Sequence, residues 1–129
     1  MRKTSLDVFA NGSAVQVPAE IGIDPAHQQI SPLHTHDTTG VIHIESPDKT
    51  ATFTLGQFFT EWQVSLSGDH IGGLTVDATH HLKVYVNGKP YTDNPANLAF
   101  AAHDEIAIVY GTDAQPVTVP SSYAWTNGL

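Results

Sequence analysis

The sequence predicts an α+β fold: a β-rich sheet, one packed helix and an extra hairpin at the N-terminus. Three observations carry that expectation. Short apolar or alternating runs lead into Asn-Gly pairs at Asn11-Gly12 and Asn87-Gly88, apolar residues fall at helical spacing in one stretch near Leu55, and the run from Glu105 to Tyr110 is apolar on both faces. At 129 residues and 13.9 kDa the chain has the size of one domain, 1–129.

Leu6-Asp7-Val8-Phe9-Ala10 and Ser13-Ala14-Val15-Gln16-Val17 flank Asn11-Gly12, and Asn-Gly readily takes the positive φ angles of a type I′ turn. The spacing predicts a hairpin within 1–23 in which Val8 faces Val15 and Leu6 faces Val17. Pro18 ends its second strand, and 24–33, with Pro25 and Pro32, reads as a surface loop. A second hairpin follows over 33–46, where Leu33-His34-Thr35-His36 and Val41-Ile42-His43-Ile44-Glu45 flank the turn-forming Asp37-Thr38-Thr39-Gly40. Thr54-Leu55-Gly56-Gln57 is a capping-box pattern, Phe53 and Phe58 sit at staple positions, and Leu55, Phe58, Phe59, Trp62 and Leu66 form one stripe, which predicts a helix over 54–66. The stripe marks these aromatics as core. The Gly- and Asp-rich stretch 67–79 reads as loop, and 82–111 carries two strands, Leu82 to Val86 running into Asn87-Gly88 and a central Glu105 to Tyr110. The tail, 112–129, holds Pro116 and Pro120 and reads as extended.

Composition excludes several function classes. Five Lys plus Arg against thirteen Asp plus Glu give a net charge of −8, which argues against a nucleic-acid partner because phosphate binding needs clustered cations. The absence of cysteine removes disulfides, thiolate metal sites, iron–sulfur clusters and Cys nucleophiles. No apolar run is long enough for a membrane span, and no apolar signal segment follows the basic start Met1-Arg2-Lys3. Ser, His and Asp are present, but no G-x-S-x-G elbow supports nucleophilic catalysis, and Gly72-Gly73 lacks the Lys and the strand-to-helix context of a phosphate loop.

From Val41 onward the order strand, Pro47-Asp48-Lys49 turn, strand, helix, strand, Asn-Gly, loop, strand resembles the β-grasp core of ubiquitin-like proteins. The nearest likeness is to small sulfur-carrier proteins, through Val86-Asn87-Gly88 and the segment from Leu98 to His103-Asp104-Glu105-Ile106. That resemblance implies the fold alone, because sulfur carriers end in Gly-Gly and this sequence reads Thr126-Asn127-Gly128-Leu129. The string Pro32-Leu33-His34-Thr35-His36-Asp37, with Thr39-Gly40-Val41-Ile42-His43-Ile44-Glu45-Ser46-Pro47, Thr54-Leu55-Gly56-Gln57-Phe58-Phe59 and Trp62, is similar to a family of uncharacterised prokaryotic proteins, often exported or membrane-anchored. The likeness implies an extracytoplasmic or membrane-anchored setting and a shared histidine cluster. Related sequences also carry histidines just before the first strand, where this chain has Lys3-Thr4-Ser5.

Histidine is the informative residue: there are eight, more than Lys and Arg together. If the Asp37–Gly40 turn pairs His36 with Val41, antiparallel register sets His34 opposite His43 and Pro32 opposite Glu45. Strand alternation then places His34, His36, Val41, His43 and Glu45 on one face, and Leu33, Thr35, Ile42 and Ile44 on the other. Three imidazoles and a carboxylate within cross-strand reach make a ligand set for Zn²⁺, Cu²⁺ or non-haem iron. The missing cysteine, and a lone methionine at position 1, disfavour Cu⁺ trafficking and blue-copper chemistry, so Zn²⁺ or Cu²⁺ is expected. A cupin site is not expected, since Glu45 lies nine residues beyond His36 rather than four or five. Glu45 is the candidate fourth ligand or base. His80, His81 and His103 are further candidates, while His27 and His70 sit in loops without companions.

Three functions are open at this point. The first is divalent metal binding through His34, His36, His43 and Glu45. The second is a non-enzymatic assembly module, a homo-oligomer through a sheet edge included. The third is a metal-dependent enzyme of unknown substrate.

Overall fold

The computed structural model describes residues 2–46, 48 and 50–125. Met1, Pro47 and Lys49 of the expected 47–49 turn, and tail residues 126–129 lie outside the described residues. In chain order the elements are β1 (Arg2–Ala10), β2 (Ser13–Val15), β3 (Ile23–Asp24), β4 (Gln29–Ile30), β5 (Leu33–His34), β6 (Val41–Ile44), α1 (Leu55–Trp62), β7 (Leu66–Ser67), β8 (His70–Ile71), β9 (Leu74–Thr75), β10 (His81–Val86), β11 (Lys89–Tyr91) and β12 (Glu105–Gly111). A turn of 3₁₀ helix, Pro95–Asn97, precedes β12. This is the expected β-rich α+β arrangement.

One sheet dominates, in the order β11-β10-β12-β1-β6-β5, with β2 hanging on β1. Its centre is the parallel pair β1–β12, in register Leu6↔Ile106 and Val8↔Ile108. β1 therefore forms the expected N-terminal hairpin with β2 and also lies in the middle of the sheet. Burial agrees with that place: Thr4, Ser5, Leu6 and Val8 are all buried in β1, as are Glu105 through Ile108 in β12, so both strands lose water on both faces, as central strands do. Leu55, Phe58 and Phe59 of α1 join Leu6, Ile42, Ile44, Ile106 and Ile108 in a single core cluster.

The turn chemistry is the expected one. Asn11 and Gly12 have φ of 52° and 85°, and Asn87 and Gly88 have 54° and 80°. Val8 pairs Val15, but β2 ends there, and the Leu6 N–H donates to Gly40 O, so Leu6 and Val17 are not partners. The capping box at Thr54 and Gln57 is present. The helix stops at Trp62, four residues short of the expected end, because Gln63 turns left-handed at φ 62° and caps it with its own N–H on Phe59 O and Thr60 O. Leu66 then packs against the core from β7. The two stretches read as loops contain small hairpins, β3–β4 and the meander β7-β8-β9. Described residues 50–53 form no strand ahead of the helix, where the β-grasp likeness places one; a bridge from Thr54 to Ala99 is the pairing found there.

Two glycines fix the histidine-bearing hairpin. Gly40 has φ +84°, and a Cβ there would stand 2.2 Å from Leu6 O; Gly22 has φ +74°, and a Cβ would stand 2.2 Å from Leu33 O. Only glycine lets β6 close onto β1 and the 20–22 segment close onto β5. Both sheet margins are blunted: β11 carries Lys89 and Pro90, while Thr35 N–H donates to Ile21 O and Ser31 N–H to Gly22 O beside β5. Among the described residues no helix is long and apolar enough to cross a membrane.

Candidate metal centre

The alternation of the 33–46 hairpin builds the site. His34 is opposite His43 and Leu33 opposite Ile44, and Glu45 N–H donates to Pro32 O, all in the expected register. Leu33, Thr35, Ile42 and Ile44 are buried. Thr35 is anchored there: its hydroxyl donates to Pro18 O (2.8 Å) and accepts from Ile21 N (3.1 Å). Beyond Thr35 the chain turns at Asp37, whose carboxylate accepts from Thr39 N at 3.1 Å and from the Thr39 hydroxyl. This turn brings His36 back over the other two imidazoles.

The rings of His34 and His43 stack at 5.5 Å with an 11° interplanar angle. His36 stands edge-on to both, at 4.8 Å from His34 and 4.5 Å from His43. One ring nitrogen from each lies within 4.8 Å of the others, so the three could hold a metal ion. Zinc–nitrogen bonds of about 2.0–2.1 Å in a tetrahedron set nitrogens about 3.3 Å apart. Closing that gap asks for about 1.5 Å at the widest pair, a side-chain rotation open to the exposed His36.

His34 is already aligned for coordination. It is 1% exposed, and its Nδ1 lies 2.8 Å from Ser31 O. A carbonyl oxygen only accepts, so Nδ1 carries a proton, and in the neutral ring that leaves the lone pair on Nε2. Nε2 is buried without a hydrogen bond, and Glu45 Oε1 stands 3.4 Å from it. A lone pair facing a carboxylate oxygen in a neutral ring is repulsive, and a cation between the two reverses that sign. A backbone carbonyl on the far ring nitrogen is also the usual orienting contact of a metal-ligating histidine. Burial, then the neighbouring charges of His36, Lys3 and His34, hold His43 down to about 4 against the opposing pull of Asp37. His43 is thus neutral at pH 7, the state a ligand needs.

Of the remaining candidates Glu45 alone adjoins the cluster, though it is not among the three residues whose ligand atoms converge. Glu45 has a half-exposed side chain beside His34. β12 and β1 separate β10 from β6, and His81 on β10 lies 4.0 Å from Asp113. His80 bonds Asp77 at 2.9 Å and stacks on Tyr110 at 5.4 Å. His103 donates its backbone N–H to Lys3 O and stacks on Trp125 at 4.9 Å. Among the described residues none of the three joins the cluster. His27 and His70 do have companions, contrary to the sequence reading: His27 pairs with Asp24 at 2.6 Å, and the β7–β8 turn sets Asp69 2.8 Å from His70 Nδ1 and Ser65 2.5 Å from Nε2.

Sequence reasoning missed three groups on the cluster's face of the sheet. Lys3 lies opposite His43 in register; Ser5 lies between Val41 and Glu105; and Glu105 is buried beside Ser5 and Asp7. Burial first, then the neighbouring Asp7 carboxyl, push Glu105 up to about 9, with Ser5 opposing, and neither Glu105 oxygen has a hydrogen-bond partner among the described residues. The period-two pattern of Lys3-Thr4-Ser5-Leu6 was the available signal, but it needs β1 as the neighbour of β6. Comparison with family models, curated proteins and solved structures finds no match for this chain.

Proposed function

We propose that the chain is a divalent metal-binding domain that holds Zn²⁺ or Cu²⁺ through His34, His36 and His43, with Glu45 as the fourth ligand. The observation that carries this reading is His34: a buried ring with Nδ1 committed to Ser31 O and Nε2 without a hydrogen bond, 3.4 Å from Glu45, in a cluster with His36 and His43. The absence of cysteine fits a borderline nitrogen and oxygen donor set. With Glu45 displaced, or with a fifth ligand, the ion would take one exogenous ligand, which is the condition for metal-dependent catalysis.

The scaffold proposed for this site is β-grasp-like. Support comes from the order β11-β10-β12-β1-β6 with first and last strands parallel at the centre. An exported or membrane-anchored setting is proposed on the family likeness. Assembly through a strand edge has less support, because both margins of the sheet are blunted. The test is metal content of untagged protein after exposure to Zn²⁺ and Cu²⁺ and removal of free ion. About one equivalent, with a rise in Tm, is expected; less than about a tenth of an equivalent with no shift would overturn the reading.

A further inference from the structure

Lys3 stands where it would repel a bound metal ion. It lies opposite His43, so its side chain shares the cluster's face, and its charge contributes to keeping His43 neutral. Arg2, its neighbour, is occupied by Ala51 O, but no acidic side chain pairs with Lys3 among the described residues. The imidazoles are neutral donors. A divalent ion and Lys3 together therefore exceed Asp37 and Glu45, the carboxylates that interact with the cluster's histidines, by one positive charge. One small anion neutralises that excess.

The approach is open on one side and flanked by charge on the other. His36 is exposed and Glu45 half-exposed, so the cluster reaches solvent; Glu45 comes from the His34 side, while Lys3 flanks His43 from β1. Resting on the metal-binding reading, we infer that the centre takes a small oxygen monoanion, of the carboxylate or bicarbonate class, at the coordination position between the metal ion and Lys3. The anion gives one oxygen to the metal and accepts a hydrogen bond from the Lys3 ammonium. Zinc tolerates this either by exchanging Glu45 for the anion or by expanding to five ligands. Lys3 thus weakens the bare metal site and strengthens the metal–anion pair, and anion and metal raise each other's affinity by the same factor.

The full chain is loaded with Co²⁺ as a spectroscopic probe, and separately with Zn²⁺, in chloride-free buffer, then titrated with acetate or bicarbonate. A saturable change in the visible Co²⁺ bands and tighter apparent Zn²⁺ binding are expected with either anion, and the more effective one identifies the source. Lys3→Met is expected to bind Zn²⁺ at least as well as wild type and to lose about tenfold in anion affinity, with recovery in Lys3→Arg. Glu45→Gln is expected to bind the anion more tightly. Metal uptake with no anion response, or an unchanged anion affinity in Lys3→Met, would overturn this inference alone. No metal uptake by wild type would overturn it together with the metal-binding reading.

Discussion

Glu105→Gln is expected to stabilise the protein and flatten its stability against pH. Glu105 is 1% exposed at the start of the central strand, and burial beside Asp7 pushes its carboxyl up to about 9 from an ordinary value of 4.5. The native state therefore binds a proton that the unfolded chain releases at neutral pH. An acid whose folded value is raised contributes stability at low pH and loses it as pH climbs toward the folded value. Each pH step of one between 4.5 and about 9 costs about 1.4 kcal/mol. By pH 7 that amounts to at most about 3 kcal/mol, and between pH 7 and 8.5 to about 2 kcal/mol more. These are upper bounds, because the surroundings of a buried carboxylate relax when it ionises. His43, held down to about 4 from 6.5, adds its own pH dependence near pH 6, but both proteins carry it and it cancels in the difference. Glutamine keeps the shape and stays neutral across the whole range. Urea unfolding of metal-free protein at pH 6, 7, 8 and 8.5 measures the difference. The gap between variant and wild type should widen with pH, and parallel curves would refute the argument that Glu105 is held protonated.

Three other outcomes follow from the same geometry. His34→Ala should weaken Zn²⁺ binding by at least about 100-fold, or roughly 3 kcal/mol, by calorimetric titration, while His80→Ala and His103→Ala stay within about twofold. Equal losses at His80 or His103 would put the ligands elsewhere. In metal-free protein the His43 ring should remain neutral through pH 5.5 by NMR, since burial penalises its charged form; a midpoint near 6.5 would contradict the packing described. Gly40→Ala forces a Cβ to 2.2 Å from Leu6 O at φ +84°, and should lower stability by about 3 kcal/mol and weaken metal binding with it; a urea midpoint unchanged from wild type would show that β6 and β1 do not approach as described.

The histidine hairpin was legible because period-two alternation and one turn sufficed. Leu33, Thr35, Ile42 and Ile44 demand the core, and the antiparallel register then leaves His34 facing His43 with no other input. The helix start was legible for the same local reason, through Thr54 and Gln57. What escaped is non-local. The β1–β2 hairpin is local and present, but the parallel pairing of β1 with β12 joins residues about a hundred positions apart, and no local pattern announces it. Lys3, Ser5 and Glu105 were invisible as neighbours of the site for that reason. The helix end escaped because it depends on a left-handed Gln63, a residue without the usual preference for that conformation. The companions of His70 escaped because Ser65 reaches it only once the β7–β8 turn forms.

X-ray absorption on the zinc-loaded chain tests the central claim most directly, since it counts imidazoles around the ion without reference to activity. The account predicts three imidazole nitrogens at about 2.0–2.1 Å with their outer-ring scattering, plus one or two oxygens, and loss of one imidazole in His36→Ala. A shell of oxygens with no imidazole scattering, or a spectrum unchanged in His36→Ala, would contradict it.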